Sequence, residues 1–249
     1  MIEVRNVYKQ FRDNHVLSGV DIDIEEGKTV AIIGQSGCGK SVLLKTIVGL
    51  IEPDAGSILV DNKTIVGATR EELEDMRSHF SYLFQGGALF DSMTILENVA
   101  FPIVWGTNRH AEDADITSKV KEVLAMVGLK NVEYLKPSEL SGGMKKRAAL
   151  ARAVIENPKY IFYDEPTTGL DPVMSANIDA LITGLQKDLG LTSVVVTHDM
   201  ETVYRIADRI FMLYQGKVVF DGSPKEIKKS DSPIVQQFIN RRENGPIVV

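Results

Sequence analysis

The sequence predicts an α/β protein with a mostly parallel sheet, an antiparallel β subdomain towards the N-terminus and a helical subdomain inserted between sheet strands. Three apolar runs carry that reading: Thr29–Ile33, Tyr160–Tyr163 and Ser193–Val196. Each is strand-sized, rich in β-forming residues and without clean alternation. That is the pattern of strands buried on both faces, as in a parallel sheet covered by helices. Each run ends in residues capable of chemistry, namely Gly34, Asp164 and Thr197-His198. Ligands of open α/β sheets sit beyond the carboxyl ends of the strands, so three such ends point to one site.

Along the chain, Ile2-Glu3-Val4 and the alternating Val20-Asp21-Ile22-Asp23-Ile24 predict half-exposed antiparallel strands. Ser57–Val60 and Phe80–Phe84 read as further strands. From Asp91 to Asn157 the pattern turns helical. Val120, Val123, Leu124 and Val127 fall at helical spacing and Gly128 supplies a C-cap, whereas the polar Thr107–Asp115 reads as a loop or helix approach. In the tail, Ile234, Val235, Phe238 and Ile239 make one apolar face. Arg241-Arg242 are expected in its last turn, Gly245-Pro246 breaks the helix, and Ile247-Val248-Val249 follow. Such a helix either docks on its own domain or contacts a second subunit. The chain as a whole, 1–249, reads as one domain, with helical subdomain 91–157 and tail 232–249.

Composition narrows the function. Hydrophobic residues make up 44% and charged residues 25% of 249 residues, which is ordinary globular usage. The net charge of −6 argues against a non-specific nucleic-acid binder, which needs a basic surface. A single cysteine, Cys38, excludes a disulfide framework and a multi-cysteine metal site, and fits a reducing compartment. The opening MIEVRNVYKQF has no apolar h-region, so no signal peptide is expected. No apolar stretch approaches the 18 or so residues of a spanning helix, so a membrane role would run through a partner.

Three motifs carry chemistry. Gly34-Gln35-Ser36-Gly37-Cys38-Gly39-Lys40-Ser41 is a full G-x-x-x-x-G-K-S phosphate loop between a strand and a helix-like segment. Its glycines let backbone N–H groups turn towards phosphate oxygens, and the helix N-terminus adds positive potential. Lys40 suits the β/γ-phosphates and the Ser41 hydroxyl suits Mg²⁺. Next, Tyr160–Tyr163 delivers Asp164 and Glu165 to a strand end. The first is placed to help hold Mg²⁺ and the second to polarise an attacking water. Finally, Leu140-Ser141-Gly142-Gly143-Met144 leads into a helix, with Ser141 as N-cap. It is either a second anion site or an ordinary capped helix.

GQSGCGKS, LSGGM and YDEP, in that order, resemble an ATP-binding cassette (ABC) ATPase over roughly residues 1–225. The resemblance implies a P-loop NTPase core that binds ATP and Mg²⁺. It also implies a head-to-tail dimer, in which Ser141, Gly142 and Gly143 of one copy contact the γ-phosphate held by the other. Phe11 resembles the aromatic residue that stacks on adenine. Gln85 resembles the glutamine that senses Mg²⁺ and the attacking water, Asp171 in Gly169-Leu170-Asp171 the loop crossing the dimer interface, and His198 the switch histidine. On this reading Lys40, Gln85, Glu165 and His198 are catalytic, and Ser41, Gln85 and Asp164 face the metal. Phe11, Gly34, Ser36, Gly37, Cys38, Gly39, Lys40, Ser41, Gln85, Ser141, Gly142, Gly143 and Asp171 contact nucleotide.

Met144 stands where many cassettes have Gln. LSGGMKKRAALARA, Gln85–Thr94 and Glu97–Pro102 are similar to the ATPases of Mla/Mce-type phospholipid transporters. That implies a peripheral subunit on the cytoplasmic face of the inner membrane of a diderm bacterium. Its partners would be a transmembrane permease, an MCE-domain lipid-binding protein and a small accessory subunit. The rival readings are another ABC importer, for example of amino acids, and a soluble ABC protein.

Overall fold

The computed structural model describes residues 1–247; Val248 and Val249 of the expected apolar tail lie outside them. The chain begins with β1 (Ile2–Phe11), β2 (Asn14–Ile24), β3 (Thr29–Gly34), α1 (Lys40–Ile47), β4 (Ala55–Val60), β5 (Lys63–Thr64) and α2 (Arg70–Arg77). It continues with β6 (Phe80–Leu83), α3 (Ile95–Val104), α4 (Ala114–Met126), a 3-10 turn (Pro137–Glu139), α5 (Gly142–Val154), β7 (Tyr160–Asp164) and α6 (Pro172–Leu189). The last elements are β8 (Thr192–Thr197), α7 (Met200–Ile206), β9 (Arg209–Tyr214), β10 (Lys217–Gly222), α8 (Pro224–Ile227) and α9 (Pro233–Ile239). Two compact units emerge: Met1–Ser78 with Thr192–Val249, and His79–Leu191.

The first unit holds an antiparallel sheet, ordered β2-β1-β4-β5, and the parallel strands β8, β3 and β9 with β10 antiparallel on β9. β1 and β2 are longer than the alternation predicts, because bulges interrupt it. Ile2 and Val4 are buried, then the inward position slips to Val7 across Asn6, which takes φ 49°. Gly56 on β4 lies opposite this bulge at φ 96°, and a Cβ there would sit 2.4 Å from the Asn6 carbonyl oxygen. Every residue of β3 and β8 is buried, as their unbroken apolar runs predict. Ile33 pairs with Thr197, so Gly34 and His198 both follow at the carboxyl end of this sheet.

In the second unit β6 and β7 pair in parallel from Phe80↔Tyr160 to Leu83↔Tyr163. Helices α3, α4 and α5 pack on one another in the span expected to be helical. Ile95, Val99, Ile116, Val120, Leu124, Ala148 and Leu150 are buried on these helices. Gly128 takes φ 70° just beyond α4 and donates to the Ala125 carbonyl, while Leu129 N–H returns to Leu124. These are the closing bonds of a glycine-terminated helix.

The tail corrects one expectation. α9 stops at Ile239, and Arg241-Arg242 lie beyond it rather than in its last turn, because Arg241 takes the left-handed φ of 52° and reverses the chain. Val235 and Ile247 join a core of Ala31, Ile33, Val203, Ile210 and Met212, with Ile234, Phe238 and Ile239 packed against it. The described part of the tail thus docks on its own unit. Buried Gln237 fixes the segment that follows α9: its amide donates to the Ile247 carbonyl at 3.1 Å and accepts from the Ile247 N–H at 2.7 Å. Gln237→Ala leaves both Ile247 groups without this partner. It is expected to lower stability by about 1–3 kcal/mol in urea unfolding, with faster hydrogen exchange at the Ile247 amide.

Candidate active site

In the first unit the phosphate loop is shaped by what cannot fit beside it. Gly34, Gly37 and Gly39 take φ 150°, 79° and 102°. A Cβ on Gly34 would lie 2.3 Å from the Leu213 carbonyl oxygen, and one on Gly39 2.7 Å from that of Val16. The loop is therefore pressed between β9 and β2 and closes only without side chains at these points. The Cys38 N–H donates to the Gln35 carbonyl at 3.2 Å, completing the turn. Lys40 is buried, and its ammonium donates to the Gly34 and Gln35 carbonyls, each at 2.9 Å. No acidic residue stands in the first turn of α1 to compete for an anion. Ser36 and Gly37 are exposed, and Ser41 follows Lys40 on the first turn. Burial pushes the Cys38 thiol up, with Lys40 pulling only partly against it, so the thiol stays protonated and unreactive at neutral pH.

Phe11 ends β1 with its ring 45% exposed and the Lys9 ammonium 5.4 Å from the ring centroid. Lys9 is held there by Asp54 at 2.8 Å and the Glu52 carbonyl at 2.7 Å. His198 is exposed immediately after β8, and the Thr197 hydroxyl accepts from Asp199 N–H at 3.0 Å to shape that exit.

In the second unit β7 carries Asp164, which is buried and accepts a 3.0 Å hydrogen bond from the Tyr82 hydroxyl on β6. Burial, then the Asp164 charge, hold the Tyr82 hydroxyl far above its ordinary titration range, so it remains a donor. Glu165 takes the left-handed φ of 51°, a conformation that costs a non-glycine residue about 1–3 kcal/mol. Its carboxylate accepts from the Thr168 hydroxyl at 3.0 Å.

Gln85 is exposed after β6, and its backbone carbonyl accepts a hydrogen bond from the buried Lys146 ammonium of α5. Arg152, also on α5, donates to the carbonyls of Gly87 and Ala88 at 2.6 and 2.8 Å. At the start of α5 the Ser141 hydroxyl accepts from Met144 N–H at 3.3 Å. Ser141 and Gly142 are exposed there, and no acidic residue occupies the first turn. Gly143 is pressed on α6, where a Cβ would lie 2.0 Å from Met174 Cε. Asp171 caps α6, accepting from Val173 and Met174 N–H at 2.9 and 3.0 Å.

The structure thus places Gly34–Ser41, Phe11 and His198 in the first unit. Asp164, Glu165, Gln85, Ser141–Gly143 and Asp171 belong to the second. Sequence reasoning missed Tyr82, Lys146, Arg152 and Thr168. Tyr82 stood inside the expected strand Phe80–Phe84 and could have been read as a donor to a neighbouring strand. Nothing in the sequence marks the other three.

The ABC transporter family model matches residues 17–168. The chain belongs to the ABC transporter family. The cassette is 40% identical over 246 residues to the probable ribonucleotide transport ATP-binding protein mkl of Mycobacterium leprae, covering 99% of this chain and 70% of that one. It is also 40% identical over 247 residues to the intermembrane phospholipid transport system ATP-binding protein MlaF of Haemophilus influenzae, covering 99% and 93%. Among solved structures it superposes on a dimeric, post-hydrolysis ATP-binding cassette bound to ADP and Pi. There the TM-score is 0.81 at 33% identity, covering 90% of this chain and 99% of that one. The cassette is accordingly an ATP-binding ATPase subunit.

The Tyr82–Asp164 bond gives a direct test of how this strand-end acid is held. Tyr82→Phe keeps the ring and removes the donor from a buried acceptor. It is expected to cost about 1–3 kcal/mol in urea unfolding, and an unchanged midpoint would show that the bond contributes nothing.

Proposed function

We propose that this cassette hydrolyses ATP to drive phospholipid movement across or between bacterial membranes through a partner permease. The observation that carries the cargo is the similarity to MlaF, which runs through 99% of this chain and 93% of that protein. A ribonucleotide cargo, which the name of the mycobacterial relative supports, is the second reading. Phospholipid vesicles and ribonucleotides, each added to the assembled transporter, separate the two by which one stimulates ATP hydrolysis.

Hydrolysis needs little covalent chemistry from the protein and much positioning and charge neutralisation. A water oxygen bonds to the γ-phosphorus, the bond to the β,γ-bridging oxygen breaks, and ADP leaves with the electron pair. Lys40 and the backbone N–H groups of Gly34–Ser41, including those of Ser36, Gly37, Cys38 and Gly39, offset phosphate charge. Glu165 orients the water and takes up its proton, Gln85 and His198 hold the oxygens around it, and Phe11 stacks on the adenine. A hydroxyl, an amide oxygen and a carboxylate, from Ser41, Gln85 and Asp164, are hard oxygen donors that fit Mg²⁺. Bound there, Mg²⁺ would neutralise charge on the phosphates. Among the described residues no group of three or more His, Cys, Asp or Glu is gathered for a metal.

The active assembly on this reading is a head-to-tail pair of copies, with Ser141, Gly142, Gly143 and Asp171 of one serving the nucleotide of the other. The dimeric cassette with 33% identity supports it. The whole chain, 1–249, then works as one cassette with 91–157 as its helical subdomain. No helix of the described residues is long and apolar enough to cross a membrane. The similarity to MlaF supports a place at the cytoplasmic face of the inner membrane, held by a permease. An MCE-domain lipid-binding protein and a small accessory subunit complete the set, and nucleic acid has no place in it.

The permease contact is assigned to an aromatic ladder in the second unit. Phe90, Phe101 and Trp105 stack at centroid distances of 4.8 and 5.0 Å, and Trp105 is 73% exposed. Buried Asn98 clamps both backbone groups of Phe90, at 2.7 and 3.0 Å, which fixes the backbone at that end of the ladder. An exposed, ordered aromatic row is the composition of an interface anchor. Phe90→Glu with Trp105→Glu should lower ATP hydrolysis of the assembled transporter about tenfold while the isolated chain keeps its basal rate. Unchanged hydrolysis in the assembly would remove the ladder from this role.

Glu165→Gln keeps shape and loses charge. Turnover should fall by about two decades or more while ATP binding, read by a fluorescent nucleotide, persists. Wild-type turnover in this variant would remove Glu165 from its proposed part.

A further inference from the structure

Two cations of α5 reach back to the loop that carries Gln85. Arg152 holds the carbonyls of Gly87 and Ala88, and Lys146 holds that of Gln85 itself. Fixing the 85–86 peptide in this way fixes the backbone torsions from which the Gln85 side chain projects. Lys146 is buried, and a buried ammonium satisfied only by a neutral carbonyl is costly. One side chain thus touches the glutamine loop, and it stands on the helix that begins with Ser141–Gly143.

We infer that Lys146 is a positioning residue for ATP hydrolysis, holding the Gln85 loop in fixed relation to α5. The inference rests on the roles proposed for Gln85 and Glu165. It accounts for an otherwise unfavourable feature, a lysine buried in an amphipathic helix whose other buried positions in the first turns are glycine and alanine. Lys146 acts through Gln85, so its removal should be felt in turnover and not in nucleotide affinity.

The test uses the purified full chain. Lys146→Met matches length without charge or donor; Lys146→Arg keeps both. The Met variant is expected to lose about tenfold or more in kcat, with KM for ATP within about threefold and an unchanged melting temperature. The Arg variant should recover turnover to within about threefold of wild type. If the Met variant does not fold, the Arg variant decides by the same criterion. A Met variant turning over within about twofold of wild type overturns the inference. So does an Arg variant as impaired as the Met one, or a loss confined to KM or matched by a fallen melting temperature. Glu165→Gln run alongside separates the levels. If it stops turnover and Lys146→Met does not, only the role of Lys146 fails. If it leaves turnover intact, the underlying assignment of the acid fails and takes this inference with it.

Discussion

The first unit depends on one constraint: a loop with no side chains at its tight points must bend between a buried strand and a helix. Gly34 and Gly39 lie within van der Waals distance of the carbonyls of Leu213 and Val16, closer than any Cβ tolerates. β9 and β2 therefore press the loop into shape, and β9 is itself held by its parallel pairing with β3. Lys40 completes the arrangement by folding back onto two loop carbonyls. A buried cation with carbonyl partners and no carboxylate in its helical turn is a preorganised counter-charge for phosphate, held before any ligand arrives.

The second unit is organised around α5. Its apolar face packs on α3 and α4, its N-terminus presents Ser141 and Gly142, and two of its cations tie down residues 85–88. Burying charge this way stabilises little by itself, since desolvation offsets much of the attraction. Its value lies in geometry: the loop of residues 85–88 is tied to the helix that begins with Ser141–Gly143. Helix ends elsewhere in this unit are closed in the same local manner, with Asp171 on α6 and the reciprocal Thr94–Glu97 pair on α3.

The parallel strands and the phosphate loop were legible in the sequence because each is a local pattern with a physical cause. Unbroken apolar runs mean burial on both faces, and glycine spacing before Lys40 means a backbone-lined turn. The lengths of β1 and β2 were not legible, because the bulge at Asn6 shifts the inward positions from Ile2 and Val4 to Val7 and destroys the alternation. The end of α9 was missed for a similar reason: the apolar pattern does not show that Arg241 leaves the helical region of backbone torsions. Lys146 and Arg152 were hidden because a cation in a helix reads as solvent-facing until the loop it serves has been placed against it. Asp171 shows the reverse. The resemblance gave it an interface role, and the structure adds the local one of capping α6.

The central claim is that each nucleotide is held by two copies of this chain, the phosphate loop of one and the Ser141–Gly143 turn of the other. Mass measurement in solution tests it most directly. With hydrolysis blocked by Glu165→Gln and ATP with Mg²⁺ at saturation, the particle should weigh twice the 27.5 kDa chain and return to one chain when nucleotide is removed. A species that stays at one chain with ATP bound, even when its membrane partners are supplied, would contradict the account.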